Sequence, residues 1–195
     1  EALAKAASRL GCDRVVLVDV GGDVLGHGHE PGLASPLCDA VMLAAAEPLV
    51  RAGVPVVAAV FGPGCDGELT PDEVMARISE LAAAGGLAGA WGITPQAAAR
   101  LREAVAAVPT EGSAQALRCF DGERGRTTIR DGRRPVTLSA VGAVTFFFDP
   151  LVAIGSTAPL ARAVCGAASL SEANRRLREL GVETELDRET AAAAH

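Results

Sequence analysis

Three times in the first half of the chain an apolar run ends in a glycine-bearing break, acidic in the first two cases, and gives way to a segment opened by Ser-Pro or Thr-Pro. The first run, Arg14 to Val20, is continuous in the way expected of a strand buried on both faces. Gly21-Gly22-Asp23 ends it, and a loop continues to Ser35-Pro36. Ser35 is a favourable N-cap and Pro36 a favourable first helical residue. The helix that follows carries Leu37, Val41, Met42 and Ala45, and Pro48 predicts a kink.

The second unit repeats the scheme with a strand over Pro55 to Phe61 and a loop over Gly62 to Glu68. Thr70-Pro71-Asp72-Glu73 opens its helix with a first-turn proline and a capping box. The third unit is shorter. Leu87 to Trp91 reads as a strand, Gly92 as the break, and Thr94-Pro95 as the start of a helix bearing Leu101 and Val105. The three units differ in spacing and loop length, so they are not a solenoid repeat.

Beyond Pro109 the pattern changes. Ser113 to Phe120 reads as a short helix. Thr127 to Arg130, the Asp131-Gly132 turn and Val136 to Ser139 read as a hairpin. Val144 to Phe148 is a fourth apolar strand, closed by Asp149-Pro150. Ala158 to Cys165 has helical character, and Ser169-x-x-Glu172 caps a helix that runs to Leu180 and stops at Gly181. Val182 to Leu186 reads as a last short strand, and the Ala-rich tail to His195 frays. The chain opens with a helical pattern from Glu1 to Leu10. A parallel sheet rarely starts with an orphan helix, so a preceding segment is expected.

These elements predict an α/β fold: a Rossmann-like three-layer sandwich with a mostly parallel sheet and a small C-terminal hairpin and helical part. Residues 1–109 form the parallel βα core. Residues 110–195, with the hairpin, a strand and two helices, belong to the same domain. A length of 195 residues with 49% apolar side chains suffices for a sizeable core. Aromatics are only 3%, with no Tyr, so that core rests on Val, Leu, Ile and Ala.

A net charge of −6 argues against nucleic acid as the partner, because a phosphate backbone calls for clustered Lys and Arg. No apolar run reaches the ~20 residues of a membrane-spanning helix. The five cysteines Cys12, Cys38, Cys65, Cys119 and Cys165 are scattered without a C-x-x-C pair. That fits neither a disulfide framework nor a zinc site, and it suits a reducing cytoplasm.

In a doubly wound sheet, ligands sit beyond the strands' carboxyl ends against helix N-termini. The three loops place Asp19, Asp23, Glu30, Asp39, Asp66 and Glu68 there, with Gly21, Gly22, Gly62, Gly64 and Gly67 to allow tight turns and close approach. Two ionised carboxylates ~4 Å apart repel by roughly 4 kcal/mol at an effective dielectric of ~20. A crowd of them therefore calls for a cation, ligand donors or raised pKa values. Read functionally, they hold a divalent cation, Mg²⁺ by its preference for oxygen, or bind sugar hydroxyls or amines. Read structurally, Asp23, Asp66 and Glu68 complement turns and helix N-termini while Glu30 and Asp39 face water.

His27, His29 and Glu30 lack the i,i+4 spacing of a zincin helix, and a solvent-facing loop is the plainer account. Cys65 follows a strand where a nucleophile could sit, yet no His stands beside it in sequence. Neither glycine loop completes a dinucleotide fingerprint or a P-loop.

Several phrases together resemble a known family. They are Val18-Asp-Val-Gly-Gly-Asp23 with Glu30, Ser35-Pro36-Leu37 and Asp39; Gly62-Pro-Gly-x-Asp-Gly-Glu-Leu69; Phe147-Phe-Asp-Pro150; Ser169-Leu-x-Glu-Ala-Asn174; and Thr184-Glu-Leu-Asp187. The set is similar to the prokaryotic family called domain of unknown function 1152, over nearly the whole chain. The resemblance implies a Rossmann-like fold and a further Gly-rich strand-loop segment at the front. It supplies no catalytic residues.

The resulting expectation is a cytoplasmic protein that binds a phosphorylated or hydroxyl-rich small molecule, of nucleotide or sugar type, at the strand-exit loops. Asp19, Asp23 and Asp66 are the candidate Mg²⁺ ligands. Asp23, Glu30 and Glu68 are the candidate catalytic groups, with Glu68 or Glu30 as general base. Gly21, Gly22, Ser35, Asp39, Gly62, Gly64 and Gly67 line the ligand, and Arg130, Arg133 or Arg134 reaches over as an anion clamp. The alternative is a non-catalytic ligand sensor or a homo-oligomeric interaction module, using the Phe146-Phe148 region and the hairpin.

Overall fold

The computed structural model describes residues 2–193; Glu1, Ala194 and His195 lie outside the described residues. In chain order the elements begin with α1 (Ala2–Arg9), β1 (Val15–Val20), a 3₁₀ turn (Asp23–Leu25), α2 (Pro36–Ala44), α3 (Ala46–Arg51) and β2 (Val56–Phe61). They continue with α4 (Pro71–Ala83), β3 (Leu87–Gly92), α5 (Pro95–Ala107) and α6 (Glu111–Phe120). The hairpin β4 (Gly125–Ile129) and β5 (Arg134–Leu138) follows, then β6 (Val144–Phe148), α7 (Pro150–Ser156), α8 (Pro159–Val164), α9 (Leu170–Glu179) and α10 (Glu185–Ala193).

The three strand-glycine-helix units form as their pattern predicts, and the reasons are local. Thr70 accepts from the Glu73 amide while Glu73 caps the Thr70 amide, which is a complete capping box at α4. Thr94 accepts from the Ala97 amide at α5, and Ser169 from the Glu172 amide at α9. The hairpin turn runs through Arg130 and Asp131, both at positive φ, and Gly132. The α2–α3 break falls at Ala45, three residues before Pro48, since a proline is tolerated in a helix's first turn but cannot donate to the turn before it.

The main sheet has strand order β1-β2-β6-β3. β1 and β2 are parallel, whereas β6 is antiparallel to both β2 and β3. The expected mostly parallel, Rossmann-like sheet is therefore corrected to a mixed one, in which two of the three strand pairs are antiparallel. The cause is the path of the chain. The segment before β6 stays at the edge where β1, β2 and β3 end, as shown by bonds from the Gly62 amide to the Val144 carbonyl and from Ile93 to Ala143. Entering from that edge, β6 has to run back against its neighbours. β1, β2 and β3 still share one direction, so their exits lie together.

One face of this sheet is closed. Leu17, Ala58, Val60, Phe146 and Phe148 pack against Val24, Leu25, Leu43, Val74, Ile78, Leu81, Ala153 and Ile154 from the 3₁₀ turn, α2, α4 and α7. A second cluster joins α2, α8 and α9 through Leu37, Leu160, Val164 and Leu177, with Val182. A third joins the β2 exit loop to α6 and the hairpin through Cys65, Ala116, Cys119, Ile129, Val136 and Leu138. The opposite sheet face is covered only in part, because Val16 and Val18 of β1 and Trp91 of β3 are exposed at 48%, 57% and 69%. A full outer helical layer, as in a three-layer sandwich, is not present over those strands among the described residues.

The C-terminal part is more helical than its pattern suggested, since α7 and α10 join α6, α8 and α9. Val182–Leu186 is not a strand. Gly181 ends α9 at positive φ, Val182 enters the second cluster, and Thr184 opens α10 by exchanging bonds with Asp187. Thr184-x-x-Asp187 is a capping pattern, and it outweighed the β-branched residues around it.

The closed face predicts a contrast. Phe148→Ala, at a fully buried site, should cost about 3–5 kcal/mol. Trp91→Ala should stay within about 0.5 kcal/mol. Urea unfolding followed by circular dichroism measures both, and comparable losses would contradict this description of the core.

Candidate functional site

The exits of β1 and β2 are stitched together. The Gly64 amide donates to the Gly21 carbonyl at 2.7 Å, and the Gly21 amide donates to the Phe61 carbonyl at 3.0 Å. Gly21 has φ 117°, and a Cβ there would stand 2.0 Å from Asp66 Oδ1. Only glycine permits both the backbone conformation and that contact. The two loops consequently bring their acids into one place. Carboxylate oxygens of Asp23, Asp66 and Glu68 all lie within 4.8 Å of one another.

Asp19 and Asp39 complete the group. Asp19 accepts weakly from the Val24 amide at 3.4 Å and feels the charges of Asp39 and Asp66. Asp39, in the first turn of α2, lies close enough to Asp23 for each to shift the other's proton affinity. Desolvation, followed by neighbouring carboxylates, raises all four aspartates. Asp19 is pushed up to about 8, with Asp39 and Asp66 as its charged neighbours. Asp66 is pushed up to about 7 beside Glu68, with Arg134 opposing. Asp23 and Asp39 are raised for the same reasons.

Glu68 behaves differently. Its Oε2 accepts from the amides of Ala34 (2.6 Å) and Ser35 (2.8 Å), and its Oε1 accepts from Ser35 Oγ (2.8 Å) and Arg134 Nη1 (2.8 Å). Burial opposes its charge, but these donors outweigh it and hold the carboxyl below its ordinary range. A carboxylate so occupied is a poor general base. It acts as a clamp between three segments instead.

Ser35 is therefore drawn away from the N-cap role expected of it. It makes no side-chain cap bond to α2 and spends its hydroxyl on Glu68. The α2 amides of Leu37 and Cys38 are satisfied by Glu185 of α10, at 3.1 and 2.7 Å. Arg188 of the same helix bonds the Ala34 carbonyl.

Among the described residues Glu30 is bonded outside this group. Its carboxylate accepts from the amides of His27, His29 and Gly28 at 2.8–3.1 Å and pairs with Arg77 at 3.4 Å. These bonds pull it below its ordinary range against the effect of burial. His27 turns toward Glu80 at 3.7 Å, and His29 is exposed. Of the three basic hairpin residues only Arg134 reaches the site; Arg130 and Arg133 are exposed. Cys65 is fully buried, and the neighbouring Cys119 together with that burial pushes its thiol far up.

Glycines 22, 62, 64 and 67 all have positive φ and shape the loops around the acids. A cavity of about 280 Å³ opens beside them, lined by Asp19, Asp39, Leu17, Val18, Met42 and Phe148 among others. The approach of α6 was not legible in the sequence: a Cβ on Gly112 would lie 3.2 Å from Val20 and 3.6 Å from Asp66. The link from Glu185 to α2, across 147 and 148 residues of chain, left no local signal either.

Residues 1–193 match the family described as protein of unknown function DUF1152. The chain belongs to this family. No curated protein and no solved structure matches it. Family membership agrees with the resemblance carried by the acidic-glycine phrases, and those phrases are the segments that meet in this cluster.

The opposed shifts give a pH profile for stability. Unfolded Asp carboxyls, with an ordinary value of 3.8, lose their protons above about pH 4, whereas folded Asp66 and Asp19 keep theirs to about 7 and about 8. The folded state binds more protons in that window, so stability falls as pH rises through it. Glu68 and Glu30 act in the other direction, and their contribution is lost as pH falls below 4.5. The metal-free chain should be most stable near about pH 5. Asp19→Asn and Asp66→Asn should flatten the alkaline limb in melting experiments. A wild-type melting temperature that rises from pH 5 to 8 would contradict this account.

Proposed function

We propose that the protein binds a small hydroxyl-rich or phosphorylated molecule, of sugar or nucleotide type, through a Mg²⁺ ion at the strand-exit cluster. The observation that carries this reading is the convergence of Asp23, Asp66 and Glu68 oxygens within 4.8 Å, with Asp19 and Asp39 beside them. Two oxygens on opposite sides of a Mg²⁺ stand about 4.2 Å apart. The cluster therefore needs little rearrangement to share one cation, and a cation would offset the desolvation and the repulsion that raise the aspartates.

Within this reading Asp19, Asp23 and Asp66 hold the ion. Glu68 positions the loop through Ser35 and Arg134 rather than accepting a proton from substrate. Asp39, close to Asp23, is the group placed to exchange a proton with a bound ligand. The adjoining cavity has a largely apolar lining and two carboxylates, and at about 280 Å³ it lies below the usual range of cofactor pockets. It suits one sugar ring or one base rather than a dinucleotide.

Isothermal titration calorimetry tests the proposal. Mg²⁺ should bind with a proton release that grows as pH is lowered from 8 to 6, because the aspartates must then ionise. Asp23→Asn and Asp66→Asn should each weaken binding at least about tenfold, and nucleoside phosphates or sugar phosphates should bind more tightly with Mg²⁺ present. Unchanged Mg²⁺ affinity in both variants would refute the site.

A second reading, a homo-oligomeric interaction module, is favoured by the exposed apolar side chains of Val16 and Val18 on β1 and Trp91 on β3, the two edge strands of the sheet. It predicts that sedimentation velocity shows concentration-dependent association, which Val18→Lys abolishes. A monomer at all concentrations would dismiss it.

A further inference from the structure

Two cysteines that stand 54 positions apart in sequence meet in the third hydrophobic cluster. Cys65 follows Gly64 in the β2 exit loop, and Cys119 lies in the last turn of α6. Both are buried, at 0% and 1% exposure, and both are free thiols. Their sulfurs converge on one point: a Cβ built on Gly142 would lie 2.5 Å from Cys119 Sγ and 3.0 Å from Cys65 Sγ. The absent side chain of Gly142 leaves room for the two thiols to face each other.

The surroundings distinguish the two sulfurs. Cys65 Sγ donates toward the Gly142 carbonyl at 3.7 Å. Cys119 Sγ faces the Cys65 thiol and accepts from the Ser139 amide, with the guanidinium groups of Arg124 and Arg118 nearby; these bring it down to about 6. Arg124 is fixed there by its bond to the Cys119 carbonyl at 2.9 Å. One thiolate that attacks and one thiol that resolves is the arrangement of a reversible dithiol.

We propose that Cys65 and Cys119 are an oxidation site, converted by hydrogen peroxide into a disulfide that ties α6 to the acidic β2 exit loop. The Cys119 thiolate attacks one peroxide oxygen and breaks the O–O bond, giving a sulfenic acid and a hydroxide that takes up a proton to become water. Cys65 then attacks the Cys119 sulfur and expels a second hydroxide, which leaves as water with the Cys65 proton. Two sulfurs give up two electrons in total, and peroxide is reduced to two waters. Peroxide is small and uncharged, which suits sulfurs this deeply buried. The bond would span the elements that flank Asp66, since Cys65 precedes it in sequence and Gly112 of α6 packs on it. This site stands independently of the proposed Mg²⁺ binding.

The test uses the full chain carrying Cys12→Ser, Cys38→Ser and Cys165→Ser, alongside the wild type. After peroxide treatment of the folded protein, intact mass should fall by about 2 Da. Thiol titration in denaturant should drop to none in the triple variant, and peptide mapping should find Cys65 joined to Cys119 in both proteins, reversibly with dithiothreitol. Amide exchange in 111–120 should slow at least threefold in the oxidised form. In Cys119→Ala, Cys65 should remain a thiol under the same treatment. Addition of two oxygens at Cys119 with Cys65 still free, or two unreacted thiols, would overturn the proposal.

Discussion

One carboxylate holds the strand-exit edge together. Glu68 accepts from two amides and a hydroxyl at Ala34 and Ser35 and from the guanidinium of Arg134. It thereby joins the loop after β1, the loop after β2 and the first residue of β5. Burying a charge is expensive unless every acceptor direction is filled and a counter-ion stands by, and at Glu68 both conditions hold. The same bonds hold its proton affinity down while burial raises that of its aspartate neighbours. Its fixed negative charge is one of the causes that raise Asp66 and Asp39.

From that clamp follows a division of labour among acids that look alike in sequence. Glu68 and Glu30 are spent on backbone amides and arginines, so they are parts of the scaffold. Asp19, Asp23, Asp39 and Asp66 have few donors and one another for company. Their environment favours a bound proton or a bound cation over bare charge. The proposed cation site rests on that condition, and the proposed ligand site on the apolar cavity beside it.

The fold places this group by an economical route. Holding residues 110–143 at the strand-exit edge sets Gly112 and Arg134 over the cluster and brings Cys119 to Cys65. It also forces β6 to enter from that edge and run antiparallel between β2 and β3. The departure from a parallel sheet and the construction of the site are thus one event. The core tolerates it because β6 alternates Phe146 and Phe148 toward the closed face, which strand direction does not affect.

What the sequence determined by itself was local. Apolar runs ended by glycine marked β1, β2 and β3, and Thr70, Thr94 and Ser169 marked helix starts, because capping and strand burial depend on residues only a few positions apart. It also named Asp19, Asp23, Asp66 and the loop glycines as belonging to one edge, since strands running the same way must end together. The tertiary structure alone decided which acids are free and which are committed: Glu30 to Arg77, Glu68 to Arg134, Ser35 away from its cap. It decided the mixed sheet, the hold of Glu185 on α2, and the meeting of Cys65 with Cys119. Each of these joins distant segments, and the energy of such a contact depends on packing and desolvation that no short window of sequence encodes.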